Sequence, residues 1–485
     1  MPKHITDYVI YRWRYILGYL FVGVLVALVV TTASIYVPGA LREGEITASL
    51  KSGALSIESI EPQMVIDLPY HILQRFSFML FGISTLSIKL PSIILGLLTV
   101  LGVFLLVRTW FRRNVAVLTT IIAVTSTQFL FLLQDGTPNI MFSFLTVWLL
   151  FAATYVTRKK TFGTLWKVLT GVFMATALYT PLGVYLVIAV LTTTFFHPHI
   201  RHVIRRFSRP RLWIGVALGI VSVIPLIYAS IVDYTVPLAL LGIPTGNLDI
   251  KHNLATLFFD LFGFASLSTN YLLRPVYSLG LVLLIAIGLY KLLTYKYTAR
   301  SYITLSLGLI LIPLIILNPE HVTHLFPLAC LMIALGLATL ITNWYKLFPR
   351  NPYARVAGLI PLSILVLGVI VSGVLRYINS YIYSPEVLAH YSNDLRLVQR
   401  NIGLYTKAKH PVVLVTSSQQ LPFYAMVAHH DKRFSATSQL PATVAPNTTL
   451  IVTNAAFHKT KFNHTPTLII TNRFAANADR LYIYK

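Results

Sequence analysis

Acidic residues are scarce in this chain: 15 Asp and Glu stand against 39 Lys and Arg among 485 residues, and charged side chains make up only 11%. Soluble domains carry roughly a quarter charged residues, so a water-soluble globular protein is excluded. The single cysteine, Cys330, lies inside an apolar run, which excludes an intramolecular disulfide and leaves the redox compartment undetermined. No repeat recurs at a solenoid period and no low-complexity tract breaks the chain. What fills the sequence is apolar, with 56% hydrophobic residues.

The composition therefore points to a polytopic α-helical membrane protein. Eleven runs are apolar enough to be expected to cross a hydrocarbon core of about 30 Å: 15–37, 89–107, 115–134, 139–157, 164–180, 181–196, 212–231, 276–293, 302–317, 325–344 and 356–377. The fifth and sixth are short and joined tightly through Tyr179-Thr180-Pro181. No cleavable signal peptide is expected, because the first run is too long and lacks a small-residue cleavage site.

A net charge of +24 raises the question of nucleic acid, but the placement of the charge answers it. Alternate loops, counted from the N-terminus, hold 21 Lys and Arg, against six (Arg42, Lys51, Arg75, Lys89, Lys251, Arg274) in the opposite loops before residue 376. The positive-inside rule makes the first set cytoplasmic. Trp13, Trp110, Trp166, Trp213 and Trp344, five of the six tryptophans, mark the same ends. The N-terminus is then expected inside the cell membrane and the C-terminal segment outside it. The basic surplus serves topology and anionic membrane lipids, not nucleic acid.

The few acids lie on the other side. Of fifteen, only Asp7 falls in the cytoplasmic set, while Glu43, Glu45, Glu58, Glu61, Asp67, Asp135, Asp233, Asp249, Asp260 and Glu320 fall on the outer face. Two long outer loops, 38–88 and 232–275, carry most of them, and long loops are usually functional. The second contains an amphipathic helix at 250–262, suited to the interface. Residues 1–377 form the expected membrane domain. Residues 378–485 read as a small extracytoplasmic α/β domain. Ser384-Pro385-Glu386 starts about twenty helical residues, then strands follow near 411–416, 448–453, 467–471 and 481–484, with a helix at 421–429.

Residues 38–144 resemble the GT-C membrane glycosyltransferases, in the branch of protein O-mannosyltransferases and aminoarabinose transferases. The matching residues are Pro38-Gly39 after the first span, Gly44-Glu45-Ile46-Thr47-Ala48 where the family has an acidic pair, and Asp67-Leu68-Pro69-Tyr70. Leu80-Phe81-Gly82, Lys89-Leu90-Pro91-Ser92 and Gln134-Asp135-Gly136-Thr137-Pro138-Asn139 continue the series. Leu273-Arg274-Pro275 and His324-Leu325-Phe326-Pro327 extend it to the end of the membrane domain. Three positions depart from the family: Gly44 and Asn139 replace Asp, and Thr323 replaces Arg.

The resemblance implies a sugar donor carried on a polyprenyl phosphate, and a glycan, lipid or protein acceptor. An acceptor hydroxyl attacks the anomeric carbon, a carboxylate takes its proton, and cations steady the leaving phosphate. The matching positions make Glu45 the expected base, Asp135 the second carboxylate and Glu43 a substitute for the acid missing at 44. Asp67 and Asn139 are expected as supporting groups. Arg274, Lys251, Arg75 and His324 are the expected phosphate ligands, against the alternative that each is a polar turn or interfacial residue. No metal-ligand spacing is visible on the outer face, so no cofactor is expected, although a divalent cation bridging Glu45 and Asp135 is conceivable. His197, His199 and His202 lie in a basic loop that repels cations, and the sequons at Asn447 and Asn463 are short enough to arise by chance. Two other readings remain open: an inactive relative that assists envelope glycan assembly, kept alive by Gly44 and Asn139, and a lipid or polysaccharide transporter, disfavoured by spans almost free of internal charge.

Overall fold

The computed structural model describes residues 9–37, 39–55, 61–158, 162–205, 209–244, 248–263, 267–268, 271–294, 298–348, 352–405, 411–439, 448–458, 465–471 and 480–484. Each of the eleven apolar runs contains helix, but they are not eleven full-length spans. Among the described residues seven helices are long and apolar enough to cross a membrane: Ile16–Tyr36, Thr85–Trp110, Ile140–Arg158, Trp213–Val232, Ala299–Leu317, Pro319–Leu347 and Leu359–Tyr383. Two more candidates are bent pairs, Arg113–Val124 with Thr127–Gln134 at 64° and Gly183–Phe196 with Pro198–Arg205 at 89°. Gly163–Ala177 and Leu279–Thr294 have 15 and 16 residues, fewer than the roughly 20 that a straight crossing needs. Hydropathy registers a short helix and a long one alike, so the expected eleven runs include these shorter helices.

The 64° bend has a local cause. Ser126 leaves helical geometry for an extended one, and its hydroxyl accepts the Phe129 N–H at 3.3 Å, starting a new helix. Every residue of Thr127–Gln134 is buried, so this half-helix ends inside the protein and delivers Gln134 and Asp135 to the interior.

The segment 38–88, expected as a long loop, is largely helical. Strand β1 (Leu41–Arg42) leads into helix Glu43–Ala54, and helix Leu68–Phe81 follows. Helix formation has local causes: Glu43 and Glu45 occupy the first turn of one, where acids oppose the dipole. Pro69 sits in the first turn of the other, where its missing N–H costs nothing. Helix Ile250–Phe262 forms as the amphipathic pattern requires, with Asp249 accepting the His252 N–H.

After Tyr383 the chain is less helical than the sequence implied. Pro385–Leu388 is a single turn, β2 (Tyr391–Ser392) interrupts, and Asp394–Tyr405 is the real helix. The interruption exists because β2 pairs antiparallel with β1, Leu41 opposite Ser392 and Arg42 opposite Tyr391, a tertiary partner invisible to local propensity. The remaining strands are β3 (Val412–Val415), β4 (Phe434–Thr437), β5 (Thr449–Thr453), β6 (Leu468–Thr471) and β7 (Arg480–Tyr484). They form one sheet in the order β4-β3-β5-β7-β6. β3 runs parallel to β4 and β5, while β7 runs antiparallel to β5 and β6. Four of these strands match the expected runs, and β4 was not foreseen. Leu395, Val398, Ile402, Phe423 and Ile451 share a core with Leu41, Phe78, Ile83 and Ile88. The sheet region is thus seated on the helices of segment 38–88.

Candidate active site

Four buried charged side chains meet where segment 38–88, the Gln134–Asn139 turn and β2 come together. Arg42 is carried there by β1. Its Nη2 donates to both oxygens of Asp135, at 2.9 and 3.1 Å. Asp135 also accepts from Thr137 Oγ1 at 2.5 Å and Asn139 Nδ2 at 3.0 Å. Aromatic faces enclose the guanidinium, with Tyr271 at 4.5 Å and Phe131 at 5.5 Å.

Glu45 is fully buried, and both its oxygens are engaged. Oε2 accepts the Arg42 backbone N–H and Oε1 the Gly136 backbone N–H, each at 2.7 Å. Lys89 Nζ lies 3.4 Å from Oε1 and donates to Gln134 Oε1 at 2.8 Å. Burial pushes the Glu45 carboxyl above its ordinary value, opposed by Lys89 and the two amides. Glu45 therefore ties the start of helix Glu43–Ala54 to the Asp135 turn. Burial likewise raises the Tyr391 phenol, which accepts from Gln134 Nε2 at 3.3 Å.

Beside this cluster opens a cavity of about 420 Å³, lined by Arg42, Glu43, Gly44, Lys51, Asp67, His71 and Tyr271 among others. Its carboxylates are Glu43, which is exposed, and Asp67. Asp67 adopts a left-handed backbone (φ 55°) and donates its N–H to Tyr179 O at 2.8 Å. Its Oδ1 is buried without a hydrogen-bond partner among the described residues. Burial pushes its carboxyl up to about 8, against the pull of Lys51 and Thr180.

One turn later, His71 has a defined tautomer. Gln74 Nε2 donates to Ile88 O and Gly136 O, so its Oε1 faces Ser52 at 2.6 Å. The single hydroxyl proton of Ser52 goes to Gln74 or to Ala48 O. His71 Nδ1, 2.8 Å away, must then be the donor, which leaves Nε2 as an acceptor. Burial, reinforced by Lys51, lowers the imidazole to about 4, so it is neutral at physiological pH.

The expected phosphate ligands do not gather here. Arg274 Nε and Nη2 both bond Asp260 Oδ1 at 2.7 Å, tying down the stretch before Leu279–Thr294. Arg75 Nη1 donates to Gly53 O at 2.8 Å. Lys251 is exposed on helix Ile250–Phe262. His324 is buried against Phe142 at 4.4 Å and His321 at 5.1 Å. The cations that line the cavity are Arg42 and Lys51. Sequence reasoning gave no role to Arg42, His71 or Tyr391. Arg42 had a signal, as a lone arginine directly before an acid-rich helix, whereas Tyr391 depends on β1–β2 pairing. Among the described residues no three His, Cys, Asp or Glu side chains converge as metal ligands. Glu45 pairs with Lys89 and Asp135 with Arg42.

Residues 69–228 match the dolichyl-phosphate-mannose-protein mannosyltransferase family. No curated protein matches in sequence. In structure the chain is similar to ArnT from Cupriavidus metallidurans bound to undecaprenyl phosphate, with TM-score 0.54 and 12% identity over 96% of this chain and 97% of that one. It is similar also to the same ArnT in the apo state, with TM-score 0.51 and 14% identity over 97% and 98%. The fold is therefore that of a GT-C membrane protein, from the first span through the C-terminal sheet.

Proposed function

We propose that this chain is a membrane glycosyltransferase that moves a sugar from a polyprenyl-phosphate donor to a glycan, lipid or protein acceptor on the extracytoplasmic face. The observation that carries the reading is the cavity beside Arg42. In a chain of GT-C fold it brings a cation, a free carboxyl oxygen and an imidazole acceptor together at the segment matching the family's acidic loop. The undecaprenyl phosphate bound to the similar ArnT supports a polyprenyl-phosphate partner here.

In this reading the acceptor oxygen bonds to the anomeric carbon while the bond from that carbon to the lipid phosphate breaks. Arg42 and Lys51 face the charge that grows on the leaving phosphate. The hydroxyl proton passes to a carboxylate at the cavity wall, Asp67 or Glu43. His71 Nε2 accepts a hydrogen bond from the sugar or the acceptor. Glu45 and Asp135, whose oxygens are already bonded, hold Arg42 and the Gly136 turn in place. Arg274, Arg75, Lys251 and His324 support the fold around the donor path, and no metal takes part. The N-terminus is cytoplasmic and residues 378–485 contribute to acceptor binding.

Gly44 favours a second reading, a relative without transferase activity. A Cβ placed there would meet Arg42 Nη2 at 3.5 Å and Thr137 at 3.8 Å, so the place of the family's acid is open. Transfer of labelled sugar from polyprenyl-phosphate hexose or pentose by the purified, lipid-reconstituted chain distinguishes the two. Activity abolished by Arg42→Gln supports the first. A folded wild type that binds undecaprenyl phosphate and transfers nothing supports the second.

A further inference from the structure

A second cavity, of about 1110 Å³, exceeds the roughly 300–1,000 Å³ of small-molecule clefts and shares no lining residue with the first. Helices Gly163–Ala177, Gly183–Phe196 and Arg209–Val232 supply its walls, through side chains such as Met174, Val190 and Ile220. Helix Pro198–Arg205 leaves its predecessor at 89°. Ile200 and Ile204 close the chamber, while Arg201, His202 and Arg205 are exposed. An amphipathic helix turned across a span, apolar inward and basic outward, lies in the membrane interface.

Arg158, Lys167 and Arg300 line the same chamber. Arg158 Nη1 donates to Thr109 O at 2.6 Å, and Arg300 Nη1 donates to the next carbonyl, Trp110 O. The two guanidinium groups thus meet at the carboxyl end of helix Thr85–Trp110, each with further N–H donors. Among the described residues no Asp or Glu lines the chamber. Cationic charge beside an apolar volume between helices matches one class of molecule, a lipid with an anionic head.

We propose that this chamber holds one anionic phospholipid of the bilayer, its acyl chains between the three apolar helices and its phosphate on Arg158 and Arg300. The site is separate from the sugar-transfer cavity and does not depend on that chemistry. Native mass spectrometry of the purified, delipidated full chain, re-exposed to phosphatidylglycerol or phosphatidylcholine, tests it. One phosphatidylglycerol is expected to be retained, with a preference of about thirtyfold over phosphatidylcholine. Arg158→Gln with Arg300→Gln is expected to erase the preference. Thr170→Trp, which fills the chamber and keeps both arginines, is expected to lose the lipid. Equal retention of the two lipids by the wild type overturns the proposal. So does a preference that survives the double variant. Should the double variant not fold, phosphatidylglycerol still held by the folded Thr170→Trp chain overturns it alone.

Discussion

Glu45, which the family pattern singles out, is completely buried and accepts two backbone bonds of 2.7 Å, so it ties Arg42 to the Gly136 turn. Glu45→Gln would leave Lys89 buried beside a neutral amide, a loss of about 3 kcal/mol, measurable as a lowered Tm in detergent. Asp67 behaves in the opposite way. Its carboxyl is held above the ordinary value, to about 8, so the fold prefers the protonated form. Stability is therefore expected to fall as pH rises from about 4 to about 8 and to level off above. Asp67→Asn should flatten that slope, and should cost about 10²–10⁴-fold in transfer rate if this carboxylate takes the proton. A wild-type rate that rises through about pH 8, and a variant as active as wild type, are the two results that separate the base role from its absence. Gly44→Asp offers a complementary test. A Cβ there makes ordinary contact with Arg42 and Thr137, so the side chain should enter without loss of folding, and a gain in transfer would identify the missing acid as the limiting group.

At the level of elements, long periodic helices were legible because their apolar runs depend only on neighbours in sequence. Ile250–Phe262 and Leu421–His430 were readable for the same reason. Helices Glu43–Ala54 and Leu68–Phe81 were missed because their burial comes from distant partners. The β1–β2 pair and β4 share this cause: a two-residue strand and the Phe434–Thr437 run carry little local signal. The site inherits the limitation, since Asp67 and His71 reach the cavity only because these helices form. Gly53 tests the seating of the sheet region on them. A Cβ there would stand 2.1 Å from Met426 Sδ, so Gly53→Val must displace that side chain and whatever packs behind it. A cost of about 1–3 kcal/mol is expected, seen as faster protease release of the C-terminal region without loss of the membrane helices.

For the whole molecule, everything proposed about chemistry depends on which face each segment occupies. Basic residues divide 21 to six between alternate loops, and ten of the fifteen acids fall in the poorer set. That asymmetry predicts one outer face for segments 38–88, 232–275 and 378–485, with the short and bent helices crossing the bilayer. Helices Gly163–Ala177 and Leu279–Thr294, at 15 and 16 residues, make the point testable, because each failure to cross would invert everything downstream. In a Cys330→Ala background, single cysteines at the exposed positions Glu61, Lys251 and Ser418 should all react with an impermeant maleimide in intact cells. Cysteines at Asn114 and His199, also exposed, should react only after lysis. Were position 418 protected like position 199 while position 61 reacted, an odd number of crossings would separate the sheet region from the Arg42 cavity. The structure joins those two parts through the Leu41–Ser392 and Arg42–Tyr391 pairs. That labelling pattern would therefore contradict both the proposed topology and the β1–β2 connection, whereas labelling at 61, 251 and 418 together places cavity and sheet region in the compartment where the acceptor must arrive.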